Sequence, residues 1–457
     1  MEETEMKKLI AMLLAIVMLV SLAACGAKTE APAPEAPKAD APVADAPAAD
    51  APAAPAKPYE GVTINVLGNS STDSSFMQEY LDEFTAETGI KVNYEQLTND
   101  QLNTKITVSM AAGGADLDVF MYMAYQNTGM YVQNGWLEPL DGYVDAEFDV
   151  SDYMQSGLDF SSVDGKLYGI PHGSEYGIIF YNKTMIDEAG INVDEIKTWE
   201  DLVAACATVE EKLPGTKGIA IRGQGNGAVT MVINLARAYG GEYIVDGKAA
   251  INTPEFCKGV EVYRDLLQYS QEGASAMSWS ETCNVFAQKQ TAFRFDSDAQ
   301  YTYLIDEASS LVKEEELGFF ALPTGDACAS TTCGNWSIGI SSGSKNKEAA
   351  WEFVRWMNTK EAIVKRALEF ASQPARSSAW QNEEVKAVYP AGFADVTLVS
   401  GSIAGGGALP NMLYSGEART AIGEAYDAIF AGDDIQKNMD EANTIMQELL
   451  DQEAAEK

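Results

Sequence analysis

The chain reads as an α/β protein with mainly parallel sheet, and three patterns carry that reading. Val62, Ile64 and Val66 alternate, the period-two signature of a strand with one buried face. Phe76, Tyr80 and Phe84 recur at spacing four, as on one face of a helix. Strand-like and helix-like segments then keep alternating along most of the chain, the order that parallel strands joined by helical crossovers require.

Taken in order, the first strand ends near Leu67, and Asn69 to Asp73 form a polar turn. The helix carrying Phe76, Tyr80 and Phe84 stops at Gly89, a residue suited to the left-handed conformation past a helix end. Residues 91–95 read as a second strand, 101–112 as a helix and 117–121 as a third strand. Residues 168–171 read as a connector and 177–181 as the strand after it. Thr198 followed by Asp201 resembles a capping box opening a helix. A strand at 218–221 precedes a helix at 230–239, and 256–269 is helical. The helix at 348–357 carries Trp351, Phe353 and Trp356, read as core.

Composition bounds the function. The chain has 31 Lys and Arg against 68 Asp and Glu, a formal charge of −37. Nucleic-acid binding needs a cationic surface, so that class is excluded. One histidine, His172, rules out H-E-x-x-H and multi-histidine zinc sites, and neither a metal nor a cofactor is expected. Gly339-Ile340-Ser341-Ser342-Gly343 fits the nucleophile-elbow pattern, but no histidine follows it, so the match is chance. Gly223-Gln224-Gly225-Asn226-Gly227-Ala228 fits a dinucleotide fingerprint between a strand and a helix. Its place deep in the chain argues against a nucleotide. Glycines at a helix start could still present N–H groups to a polar ligand.

The N-terminus points to export. Lys7 and Lys8 precede a 14-residue apolar run from Leu9 to Leu22, too short for a span of ~20 residues. Glu2, Glu3 and Glu5 fit poorly there, and Met6 is an alternative start. Leu22-Ala23-Ala24-Cys25 resembles the bacterial lipobox, which implies cleavage after residue 24 and a diacylglyceryl group on Cys25. Of residues 27–58, 22 of 32 are Ala or Pro, a composition that cannot bury a core. Residues 25–58 are thus read as the lipidated cysteine and an extended tether. Cys206, Cys257, Cys283, Cys328 and Cys333 remain, either with a local Cys328–Cys333 bridge or as free thiols.

Several segments in order resemble the family 1 extracellular solute-binding proteins of sugar importers, the maltose-binding proteins among them. They are Gly165-Lys166-Leu167-Tyr168-Gly169-Ile170-Pro171, Phe180-Tyr181-Asn182-Lys183, Thr198-Trp199-Glu200-Asp201-Leu202, and Phe286-Ala287-Gln288-Lys289-Gln290-Thr291-Ala292-Phe293. Glu188-Ala189-Gly190-Ile191, Ala321-Leu322-Pro323 and the stretch from Ser344 to Phe353 complete the set. The resemblance implies a type II periplasmic-binding-protein-like fold: two α/β lobes, a hinge, and a ligand cleft between them. Lobe one would take residues 59–171 plus 323–372, and lobe two 172–322 plus 373–457. It also implies a monomer, held on the outer membrane face, that captures a small-molecule solute and hands it to ABC permease subunits without catalysis.

Ligand contacts implied by the resemblance lie at strand ends facing the cleft: Ser71 and Thr72, Tyr122, Gln126 and Asn127, the crossover residues His172, Glu175 and Tyr176, then Trp279, Asp296, Asp298, Asn335, Trp336, Gln373 and Arg376. Carboxylates, amides and aromatic faces together suit sugar hydroxyls and C–H faces. Ser71 and Thr72 stand where the maltose-binding pattern often has charges, which leaves the particular sugar open. A polyamine, sugar phosphate or peptide bound by the same fold, and a secreted glycosidase, stay open beside it.

Overall fold

The computed structural model describes residues 57–410 and 412–456. The leader, Cys25 and the tether up to residue 56 lie outside the described residues. Among those described, no helix is long and apolar enough to cross a membrane.

Nine strands form one sheet: β1 Thr63–Asn69, β2 Lys91–Leu97, β3 Val119–Met123, β4 Ile170–Asn182, β5 Lys217–Ala220, β6 Thr291–Ser297, β7 Leu317–Ala321, β8 Thr331–Ile340 and β9 Ala404–Gly407. Their order is β2-β1-β3-β8-β4-β6-β5, with β7 paired to β4 and β9 to β8. The outer pairs β1–β2, β1–β3 and β6–β5 are parallel. The long central strands β8 and β4 are antiparallel to each other and to their neighbours β3 and β6. Each end of the sheet therefore has its own α/β core, and β4 and β8 run through both.

One core gathers Ile64, Val66, Val119, Met121, Ile338 and Ile340 under the helix Lys347–Met357. Phe84 tiles edge-on against Phe353 and Trp356 at 5.3 and 5.7 Å between ring centroids, so this helix's aromatics pack into the core, as expected. The other core gathers Ile219, Phe293 and Phe295 with the helices Trp199–Lys212, Gly225–Ala238 and Pro254–Leu267.

Local chemistry sets several boundaries. Gly89 sits at φ 82° and ends its helix. Thr198 and Asp201 form the reciprocal cap expected of them. Two expectations are corrected. The helix through Phe76, Tyr80 and Phe84 is two helices, Thr72–Glu79 and Leu81–Thr88, broken at Tyr80 (φ −101°, ψ 11°). Residues 168–171 and 177–181 are not a connector and a separate strand: β4 runs unbroken from Ile170. Pro171, His172 and Gly173 look like loop residues, yet the ladder steps from Trp336↔Gly173 to Ser337↔Pro171 and leaves His172 as an extra, bulged residue. All five remaining cysteines are free, so Cys328 and Cys333 are not bridged.

Candidate functional site

Strand β8 carries β3 along one part of its edge and β9 along another. The last β3 rung is Trp336↔Met123 and the last β9 rung is Cys333↔Gly407. The two short strands end on either side of Gly334 and Asn335, and the segments that follow them flank the gap. A cavity of about 260 Å³ opens there, lined by Tyr125, Gln126, Ser156, Asp159, Gly405 and Met412 among others. Tyr125 begins the helix Ala124–Gln133 after β3, yet its ring packs against the core of the opposite half.

Beside Tyr125 lies a polar cluster built on β4, β6 and the end of β5. Glu175 accepts a hydrogen bond from Ser297 Oγ. Asp296 is fully enclosed and accepts from Arg222 Nε at 3.0 Å and from Arg222 Nη2 at 2.5 Å. It also accepts from Arg294 Nη2 at 3.0 Å and Gln300 Nε2 at 2.9 Å. Burial alone would raise the Asp296 carboxyl, but the two guanidiniums override it and hold it below the usual carboxylate range.

Asp298 is the opposite case. Its carboxylate accepts from the Tyr176 N–H at 2.8 Å and from Thr397 Oγ1 at 3.1 Å, without a guanidinium. Burial, with the nearby charge of Glu175 adding to it, pushes it up to about 7. A folded-state pKa above the unfolded one means that the folded state holds the proton more tightly. Asp298 therefore favours folding most below the ordinary value of 3.8, and the benefit is lost as pH climbs from there toward about 7. Each unit of separation is worth about 1.4 kcal/mol. Asp298→Asn is expected to flatten this dependence and to exceed the parent protein in stability at pH 8. Urea midpoints at pH 5 and pH 8 check it; an unchanged difference between the two would refute the assignment.

Gln126 lines the cavity, Glu175, Asp296 and Asp298 belong to the polar cluster described above, and the other expected contacts are placed differently. Ser71 caps the helix Thr72–Glu79, accepting from Ser74 N and donating to Asn69 Oδ1 at 2.7 Å. Thr72 is the first residue of that helix; its side chain lies outside what is described. Tyr122 is enclosed among Phe120 and Tyr131. Asn127 is buried on the helix after β3. His172 is fully enclosed against Asn358 Oδ1 and Arg366. Tyr176 is buried, its hydroxyl within 3.2 Å of Ser156 Oγ. Asn335 donates to Gly157 O at 3.3 Å and Ser337 Oγ at 3.1 Å. Trp336 packs at the junction of two apolar clusters of the first half. Gln373 is buried. Trp279 is exposed beside Tyr303. Arg376 is enclosed by backbone carbonyls and two aromatic rings.

Two cationic residues were missed. Arg222 immediately precedes the glycine-rich loop, and Arg419 is on the helix Ser415–Phe430; the charges of both reach Tyr125. Nothing periodic marks them, because each sits where an element meets the gap. Three of the loop's N–H groups are already taken. Gly223 N and Gln224 N donate to Met277 O, and Gly225 N donates to Asp427 Oδ1 at 2.7 Å. Its glycines permit close packing: a Cβ on Gly225 would lie 2.0 Å from Gly423 O. Ser341 of the elbow-like motif is buried and donates to Gly114 O at 2.9 Å. Among the described residues no group of His, Cys, Asp and Glu could hold a metal ion.

Two α/β cores joined by through-running strands, with a polar gap between them, define a two-lobed binding protein. Residues 68–364 match the family described as bacterial extracellular solute-binding protein, and the chain belongs to that family. Among curated relatives, the mannitol-binding protein of Pseudomonas aeruginosa is 26% identical over 353 residues, covering 76% of this chain and 80% of that one. The erythritol/L-threitol-binding protein of Mycolicibacterium smegmatis is 26% identical over 329 residues, covering 67% and 68%. Among solved structures, a ribitol complex of an ABC transporter solute-binding protein from Agrobacterium radiobacter has a TM-score of 0.75 at 24% identity, covering 86% of this chain and 100% of that one. A counterpart from Agrobacterium vitis with bound D-mannitol has a TM-score of 0.71 at 24% identity, covering 86% and 99%.

Proposed function

We propose that this protein captures a neutral carbohydrate or polyol between its lobes and delivers it to an ABC importer permease, without transforming it. One observation carries the reading. Tyr125 leaves one lobe and seats its ring against the other, beside a carboxylate and guanidiniums, over a cavity that both lobes line. Closure of two lobes on a ligand builds such a site, and an aromatic face with paired donors and acceptors suits a hydroxylated carbon chain. The mannitol and erythritol/L-threitol named for two relatives support the same solute class. In this reading the lobes divide as the sequence suggests, at 171/172, 322/323 and 372/373. Cys25 carries the lipid, the Ala/Pro tether spans from membrane to lobes, and the protein acts as a monomer at the outer face of the cell membrane.

Thermal melting with D-mannitol, ribitol, erythritol and maltose tests this. A ligand at 100 times its Kd stabilises by about 2.7 kcal/mol. We expect at least one probe to raise the melting temperature and to be recovered unchanged, and Tyr125→Ala to weaken its binding tenfold or more. Absence of any shift, or release of products, would overturn the reading.

A further inference from the structure

Asp296 is the most heavily bonded carboxylate of the gap, and its partners leave it little to offer a solute. Four nitrogens of three side chains donate to its two oxygens, the Ser297 N–H adds a fifth bond at 2.8 Å, and no part of the residue is exposed. Two of those bonds come from one edge of the Arg222 guanidinium, Nε and Nη2, in the side-on geometry that fixes a guanidinium plane. Arg222, unlike Asp296, keeps a solvent-accessible fraction, 13% of its side chain. Its other edge, Nη1 with the second N–H of Nη2, has the Thr230 hydroxyl at 3.3 Å from Nη1. Arg222 and Glu175 are close enough for each charge to act on the other, and both act on Tyr125.

We propose that Arg222 is the specificity-determining donor of the cleft, reading with Glu175 a pair of neighbouring hydroxyls on a neutral polyol, and that Asp296 is a positioning residue acting only through Arg222. A hydroxyl both accepts and donates. A vicinal diol can accept from the Arg222 fork while donating toward the carboxylate of Glu175, and no net charge is left buried. A sugar acid or sugar phosphate would satisfy the fork but bring a second anion against Glu175. A polyamine would meet Arg222. Arg294 and Gln300 complete the support: Arg294 Nη2 contacts Gln300 Oε1, which holds the far side of Asp296 in place.

This inference rests on the binding-protein reading above, and the experiment separates the two. Calorimetric titration uses whichever of D-mannitol, ribitol, erythritol and maltose binds the parent protein most tightly, with gluconate as the anionic probe. Arg222→Gln and Arg222→Lys are each expected to lose tenfold or more in affinity, the lysine because it keeps the charge and loses the fork. Asp296→Asn should lose affinity too, and the double variant Arg222→Gln/Asp296→Asn should bind within twofold of Arg222→Gln alone, which a merely structural role for Asp296 would not produce. Melting without ligand identifies any variant that does not fold; if Asp296→Asn fails, the Arg222→Lys comparison decides. Affinity within twofold of the parent in both Arg222 variants, additive losses in the double variant, or tighter binding of gluconate than of every neutral probe would overturn the inference. Gluconate binding alone would leave a solute-binding protein standing. Failure of all five probes would remove the functional reading, and the inference with it.

Discussion

Arg376→Met is expected to cost about 3 kcal/mol or more of folding stability, from the loss of a buried charge-assisted network. The Arg376 guanidinium donates to Phe148 O at 2.7 Å, Asp149 O at 2.8 Å and Asn358 O at 3.1 Å. It lies over the Tyr153 and Phe148 rings at 4.1 and 4.9 Å. Methionine would fill much of the slot between the rings but take a donor from all three carbonyls; Asn358 O would keep the Tyr153 hydroxyl at 3.2 Å and Asp149 O the Asp152 N–H at 3.3 Å, so the loss is greatest at Phe148 O. Asp152 would remain bonded to the Ser378 N–H and hydroxyl, so the cost falls on the carbonyls. Urea denaturation measures the loss; a change below about 1 kcal/mol would show that water replaces the guanidinium cheaply. The folded variant is expected to bind its solute with parental affinity.

Gly225→Ala is expected to destabilise by a similar amount for a steric reason. The added methyl would lie 2.0 Å from Gly423 O and 2.8 Å from the Asp427 carboxyl carbon, where the helices Gly225–Ala238 and Ser415–Phe430 touch. A backbone oxygen cannot swing aside, so the helices must part, and the Gly225 N–H would lose Asp427. Overpacking of this kind costs about 1–3 kcal/mol and loss of a helix cap about 1 more. Gly227→Ala is the control. Its nearest neighbour would be Ser278 Oγ at 3.2 Å, the end of a small side chain. Alanine's better helix propensity, worth about 1 kcal/mol, should leave that variant at or above parental stability. Equal losses at the two positions, by thermal melting, would refute the packing argument.

These two residues also show how far the sequence reaches. The α/β alternation, the Thr198 cap and the Gly89 stop are local, set by residues within one or two turns of each other, and were legible. The glycine-rich loop was legible as a strand-to-helix turn, but its purpose was not, because the partner of Gly225 is almost 200 residues away. The family resemblance named Arg376 as a ligand contact, and the structure encloses it instead among carbonyls and rings. Whether a guanidinium turns to solvent or to carbonyls depends on Phe148 and Asn358, which no local pattern connects to it. The break at Tyr80 was hidden because spacing four survives a one-residue interruption. The strand start at Ile170 was hidden because pairing across β8 outweighs the loop-like character of Pro171 and Gly173.

The pairing of β4 with β8 from Cys333↔Tyr176 to Ile338↔Ile170 also fixes what can be measured when the lobes move. Sliding one strand along the other would break the ladder, whereas flexing the ribbon across its width would not. Groups astride the ribbon, such as Glu175 and Gly334, then stay at constant separation in every state. Tyr125 follows β3 on one side of the ribbon and Arg222 follows β5 on the other, like the tips of a pair of tongs, where a small bend becomes a large displacement. A distance probe placed on the tips reads opening, and one on the spine supplies its internal zero.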